Sequence, residues 1–136
     1  MKAYFVFKQL DPRGTPQFFV FRLDDPDKID EARNIVSGVE QAKVHVQGTI
    51  VQTPVPYNPM WSFHLAPASI DFFVMAIEVC DANVTYVRDH LAEVGGAFLP
   101  NSHWCPWSSQ VVAEITEYID EDTERPRVPL DSVLEK

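Results

Sequence analysis

The sequence has few basic residues and no long apolar run, and these two deficits exclude several classes of function. Only 11 of its 136 residues are Lys or Arg, against 20 Asp or Glu, which gives a formal net charge of -9. Proteins that bind nucleic acids or anionic membranes need basic side chains to neutralise phosphates, so we expect neither partner. The longest apolar run, Phe72 to Ile77, is far shorter than the roughly 20 residues of a membrane-spanning helix.

The sequence also lacks a signal-peptide core and has only two cysteines. Met1 and Lys2 lead directly into a short β-like run, which predicts either a cytoplasmic protein or a secreted one whose leader has been removed. Cys80 and Cys105 do not decide between these compartments. They could form a disulfide, remain two thiols or supply half of a metal site.

The hydrophobic periodicity predicts an α+β fold with the order ββαβββαβ, in which two helices accompany a mostly antiparallel β-sheet. The first helix has strong end signals, because Asp25 can cap it, Pro26 suits its first position and Gly38 can end it. Gly48 interrupts a strand, which predicts a bulge or a close backbone approach. Strands are predicted at 3–10, 17–23, 44–53, 61–65, 70–80 and 108–115, and the second helix at 84–94.

The composition changes after residue 115. Five acidic residues lie between Glu117 and Glu124, and two prolines follow soon after. We therefore predict a single domain over residues 1–116 and an extended or partly disordered acidic tail over 117–136. The hairpin at 3–23 places aromatic residues on both faces of its strands. A helix could cover one face and a second copy of the chain the other, which predicts a homodimer through this hairpin.

The three tryptophans lie in two short segments flanked by prolines, 54–64 and 100–107, and each segment also contains a histidine. These aromatic residues could fill the core, with their ring N–H groups bonded to loop carbonyls. They could instead form a surface for a peptide, a sugar or another flat ligand. On the second alternative the protein is a non-enzymatic ligand-binding or interaction domain, and the predicted ligand-binding residues are Tyr57, Trp61, His64, Trp104 and Trp107.

The two cysteines and nearby polar residues give an enzymatic alternative. Strand periodicity places Glu78 and Cys80 on one face, and His103 and Cys105 on another. If these segments meet, the four side chains are candidate ligands for zinc, although no standard zinc spacing is present. Together with His64 they could also serve a metal-assisted or cysteine-dependent hydrolase. The favoured interpretation of the two cysteines is a disulfide between Cys80 and Cys105, and no catalytic residue is predicted.

Four sequence segments carry a resemblance to a known family. They are Y-N-P-M-W-S-F-H-L at 57–65, E-V-C-D at 78–81, V-G-G-A-F-L-P at 94–100 and W-C-P-W-S-S at 104–109. Together they resemble a small microbial domain family, over roughly residues 3–115. The family is similar to the N-terminal domain of a calmodulin-binding-type protein of eukaryotic microbes. The resemblance implies a fold boundary and a site location but no activity. Calmodulin targets are basic amphipathic helices, and the helices of this chain contain too few Lys and Arg.

Overall fold

The fold is α+β with mostly antiparallel sheets, in agreement with the prediction. A computed structural model describes residues 1–76 and 78–134, with the backbone but not the side chain of Glu78. Within these residues the predicted order is present, and three additional short strands precede the last one. The strands are β1 (Ala3–Leu10), β2 (Pro16–Leu23), β3 (His45–Val51), β4 (His64–Leu65), β5 (Asp71–Phe73), β6 (Val94–Gly95), β7 (Phe98–Pro100), β8 (His103–Trp104) and β9 (Gln110–Glu114). The helices are α1 (Pro26–Ser37), α2 (Val84–Asp89) and α3 (Asp131–Leu134).

Helix α1 begins and ends where the sequence predicts. The side chain of Asp25 accepts a hydrogen bond from the backbone N–H of Asp27, and Pro26 occupies the first helical position. Gly38 has a φ of 86°, in the left-handed region that glycine tolerates best, and its N–H donates to the carbonyl of Ile35. The cap, the proline and the terminal glycine are local signals, and all three are confirmed.

Two sheets form the framework. Strands β1 and β2 make an antiparallel hairpin, and β9 pairs with the other edge of β1. In the second sheet β3 pairs antiparallel with β4, β5 and β8. Gly48 lies in β3, and a Cβ atom there would stand 3.2 Å from Ser69 Oγ and 3.3 Å from Leu65 Cδ2. Neighbouring side chains therefore approach the backbone of Gly48 closely, as one of the two predicted alternatives requires.

The long strand predicted at 70–80 is wrong. Only Asp71–Phe73 is a strand, and a short 3-10 turn follows at Glu78–Cys80. Strand β3 begins at His45, which pairs with Phe73, so within the described residues β3 offers no pairing partner beyond Phe73. Met75 is 79% exposed as a consequence. Ile77, in the middle of the predicted strand, lies outside the described residues.

Both faces of the β1–β2 hairpin are covered by the chain itself. One face packs against helix α1 and the β3 sheet, and the other packs against residues from loop 54–60 and from the segment after β9. The exposed aromatic surface that motivated the homodimer is therefore not present, and the homodimer itself stays a prediction. The inward residues of the first face include Phe5, Phe7, Phe19 and Phe21, and those of the second face are Tyr4, Val6 and Val20.

The segment after β9 runs back across the hairpin. It contains a 3-10 turn at Thr116–Tyr118 and an isolated bridge between Ile119 and Pro126, and it ends in α3. Ile119 and Leu130 are buried. The division into a domain at 1–116 and a separate tail stays a prediction, but several residues of 117–134 pack on the sheet. Among the described helices, none is long and apolar enough to cross a membrane.

Candidate functional site

Cys80 and Cys105 form a disulfide. The backbone N–H of Cys105 also donates to the carbonyl of Cys80 at 2.7 Å. Both residues are buried in a small apolar cluster with Phe73, against which Ala76 and Trp107 pack. The sequence favours this disulfide over two thiols or half of a metal site, and the structure has it.

The disulfide changes the chemistry of the predicted metal site. The potential ligand atoms of Cys80, His103 and Cys105 all lie within 4.8 Å of one another. Bonded sulfur atoms are not thiolates, however, and the thiolate is both the zinc ligand and the nucleophile. The structure therefore argues against a cysteine-dependent enzyme, and the bonded form does not fit zinc. Glu78, the fourth candidate ligand, has its side chain outside the described part of the chain.

The predicted aromatic face is not one surface. Trp104 is fully buried, Trp61 is 7% exposed and Tyr57 is 2% exposed. The rings of Trp61 and Trp104 both contact Phe19 and Phe63, with ring centroids 5.4 to 6.5 Å apart. These two tryptophans therefore lie in the main core, as the packing alternative predicts.

The ring N–H groups show how these residues are held. Trp61 Nε1 donates to the carbonyl of Phe18 at 2.7 Å, and Trp104 Nε1 donates to the carbonyl of Ala82 at 3.0 Å. Trp107 is half-buried beside the disulfide, and its Nε1 atom is buried without a hydrogen-bond partner among the described residues.

His64 is separate from these tryptophans in its hydrogen bonding. It lies in β4, and its Nδ1 atom donates to the carbonyl of Thr53 at 2.7 Å. Tyr57 belongs to the second apolar cluster, on the opposite face of the hairpin, where burial raises its pKa to about 12. The five predicted ligand-binding residues thus lie in several environments, and a ligand role for them stays a prediction.

A charged network joins β1 and β2 to the segment after β9. The hydroxyl of Tyr4 donates to Glu124 Oε2 at 2.6 Å, and Arg22 Nη1 lies 3.1 Å from the same oxygen. Burial opposes ionisation of Glu124, but the hydroxyl and the guanidinium outweigh it and hold the pKa of Glu124 below its ordinary value. The pKa of Tyr4 is raised, first by burial and then by this carboxylate.

A groove of about 920 Å³ lies between loop 54–60 and residues 125–131. We call it the proline groove, because five of its lining residues are prolines, three from the loop and two from the second segment. Val55 and Met60 add further apolar surface from the loop. Proline has a fixed φ and no N–H donor, so these walls are stiff and offer mainly apolar contact.

Buried residues of the loop anchor the proline groove to β2. Asn58 is fully buried, its Oδ1 atom accepts from the N–H of Val20, and its Nδ2 atom donates to the carbonyl of Phe63. Tyr57 and Trp61 are buried on either side of the exposed pair Pro59 and Met60. Two of the predicted aromatic residues therefore hold the loop that forms the groove.

The second wall of the proline groove carries charge. Arg125 and Arg127 are exposed and line the groove together with one carboxylate, Asp131. Among the described residues, neither guanidinium has a hydrogen bond or an ion pair. Prolines recur in both segments of the sequence, but no local signal indicates that the segments meet.

One family of known proteins matches most of the chain. The family model described as the BP-74 N-terminal domain matches residues 1–118. The chain belongs to the BP-74 N-terminal domain family. The match includes the range of the sequence resemblance, although the motifs quoted for that resemblance stay a prediction. No curated protein and no solved structure matches the chain.

The family match covers the two walls of the proline groove unequally. The BP-74 N-terminal domain contains loop 54–60 and ends before residues 125–131. Only the apolar wall of the groove therefore lies within the matched residues, and the charged wall lies beyond them.

Proposed function

We propose that this chain is a non-enzymatic binding domain whose ligand-binding surface is the proline groove. The observation that carries the proposal is the construction of loop 54–60, in which buried Tyr57, Asn58 and Trp61 fix a row of exposed apolar residues. A binding surface that is rigid before the ligand arrives loses less conformational entropy on binding. In this proposal Tyr57 and Trp61, which the sequence predicts as ligand-binding residues, do not touch the ligand. They hold in place the loop that does.

Other features support a binding role over the hydrolase alternative. The proposed nucleophile Cys105 is in a disulfide. Within residues 1–76 and 78–134, the metal-type cluster consists of the two bonded cysteines and His103. Structural disulfides are typical of proteins in oxidising compartments, so for localisation we propose the secreted alternative.

Methionine methyl NMR provides a direct test, because the chain has three methionines and only one lines the groove. Met60 is 47% exposed at the groove, whereas Met1 and Met75 are 84% and 79% exposed elsewhere. The protein labelled with ¹³C at its methionine methyl groups is titrated with capped leucine–proline dipeptides and small aromatic fragments. We expect at least one probe to shift the Met60 methyl signal while the Met1 and Met75 signals stay in place.

A matched pair of variants separates binding at the groove from weak contact with any apolar surface. Val128→Asp places a charge on the groove wall, and Val39→Asp places one at an exposed valine that does not line it. We expect the first variant to abolish the Met60 shifts and the second to preserve them. The proposal is wrong if no probe moves the Met60 signal, or if all three methionine signals move together.

A further inference from the structure

We propose that the ligand of the proline groove is an extended peptide segment of a partner protein that presents two acidic side chains. This inference rests on the proposed function and adds the chemistry of the ligand. It begins from the charge on the second wall, which differs in sign from that of the whole chain. The chain has a formal net charge of -9, but the groove is lined by two arginines and one aspartate.

The backbone around Pro126 sets the spacing of the two arginines. Pro126 forms a β-bridge with Ile119, the carbonyl of Arg125 accepts from Asp120, and the N–H of Arg127 donates to Tyr118 at 2.7 Å. In such an extended stretch, side chains two residues apart point to the same side and are separated by about 7 Å. The bridge therefore holds the backbone of Arg125 and Arg127 at a short spacing, and both residues line the groove.

The two exposed guanidinium groups can bind carboxylates of a ligand. A guanidinium has a planar set of N–H donors that fits a carboxylate through two parallel hydrogen bonds. Two other arginines of the chain have such partners: Arg33 binds Glu114 through two hydrogen bonds, and Arg22 binds Asp24 in the same way. Arg125 and Arg127 have no such paired hydrogen bonds among the described residues, although Asp120 lies within electrostatic range of Arg127, so a carboxylate with this geometry can be supplied from outside.

The apolar wall restricts the backbone of the ligand. The prolines of loop 54–60 provide no N–H groups, so this wall does not add the ligand as a further strand through a regular hydrogen-bond ladder. An extended or polyproline-type segment keeps its conformation without hydrogen bonds from the groove, and it can place apolar side chains against Val55 and Met60. The overall negative charge disfavours long polyanions such as nucleic acids, which would extend beyond the groove over acidic surface.

The experiment selects ligands without assuming their sequence. A phage library of short random peptides is panned on the full chain, and clones that also bind the uncharged variant Val128→Asn are removed. The same panning is performed on the double variant Arg125→Glu, Arg127→Glu, with Arg13→Glu as the control. Arg13 is an exposed cation in the β1–β2 turn, away from the groove lining. Thermal unfolding of each variant verifies that it is folded.

We expect the wild-type chain to enrich peptides with two Asp or Glu residues among apolar residues and prolines. A selected peptide should bind the single variant Arg127→Glu about tenfold more weakly, because charge reversal replaces an attraction with a repulsion of similar size. Arg13→Glu makes the same change in net charge and should have little effect. The double variant should enrich basic peptides instead.

The outcomes distinguish the two proposals. Groove-dependent peptides that are neutral or basic would overturn the acidic ligand and leave the proposed function standing. Acidic peptides that bind the wild-type and charge-reversed chains equally would also overturn the acidic ligand and leave the proposed function standing. If panning yields no peptide whose binding depends on the groove, the acidic peptide ligand is overturned, and the Met60 titration alone decides the proposed function.

Discussion

Breaking the disulfide should destabilise the protein by an amount that follows from its position in the chain. Cys80 and Cys105 are separated by 25 residues. In the chain-entropy description, a cross-link of this span removes conformational entropy from the unfolded chain equivalent to about 3.5 kcal/mol at 25 °C. For a domain of this size, such a loss corresponds to a decrease of about 10–15 °C in the melting temperature.

Two perturbations separate the covalent link from the packing of the sulfur atoms. Reduction of the wild-type chain breaks the bond but leaves both side chains in the apolar cluster beside Trp107. The double variant Cys80→Ala, Cys105→Ala also removes the sulfur atoms, so we expect it to lose about 1 kcal/mol more than reduction alone.

Urea unfolding monitored by near-ultraviolet circular dichroism measures both losses. The oxidised wild type, the reduced wild type and the double alanine variant are compared at one pH and temperature. Equal free energies of unfolding for oxidised and reduced wild type, within about 1 kcal/mol, would refute the chain-entropy reasoning. A free-thiol count on the unreduced, denatured protein should give no thiols, which establishes the starting state.

Three further predictions concern hydrogen bonds. Trp104→Phe should destabilise the protein by about 2–4 kcal/mol, because it removes a hydrogen-bonded N–H and core volume. Trp107→Phe should change stability by less than about 1 kcal/mol, because the ring N–H that it removes has no hydrogen-bond partner among the described residues. Equal losses in thermal unfolding would contradict this difference. Tyr4→Phe removes a hydrogen bond to Glu124, whose pKa in the folded protein lies below its ordinary value of 4.5. The loss of about 1 kcal/mol in the free energy of unfolding should therefore be present above pH 4.5 and decline as the pH falls through the folded pKa. A loss that stays constant in acid would be inconsistent with the network. Asn58→Ala leaves two backbone groups without their side-chain partner. The free energy of unfolding in urea should fall by about 3 kcal/mol. A loss below about 1 kcal/mol would show that the loop is anchored by other contacts.

Local signals made part of this fold predictable. The ends of α1 depend on Asp25, Pro26 and Gly38, whose effects act within a few residues, and the structure has all three as predicted. Gly48 was also interpretable, because a glycine inside a strand indicates a bulge or a close contact. The end of β5 was not predictable, because it depends on where β3 begins, and that is a property of the paired strands.

The sequence indicated one wall of the candidate groove but not the other. The concentration of aromatic residues drew attention to the segments at 54–64 and 100–107, yet it could not tell which side of the backbone each ring would occupy. Trp61 and Trp104 are buried because large rings contribute most to a core when they are removed from water. The proline groove depends on residues 54–60 meeting 125–131, and contacts over such a sequence separation leave no periodic signal.

The Cys80–Cys105 bond also divides the chain into a closed ring and two open arms. The ring contains α2 and strands β6 to β8, and a peptide-bond cleavage in its Gly95–Gly96 turn would leave the two fragments covalently joined. They would migrate together on a non-reducing gel and separate after reduction. Both walls of the proline groove lie on the arms. A nick, an inserted tag or a grafted loop at that turn would therefore leave the sequence of both walls unchanged.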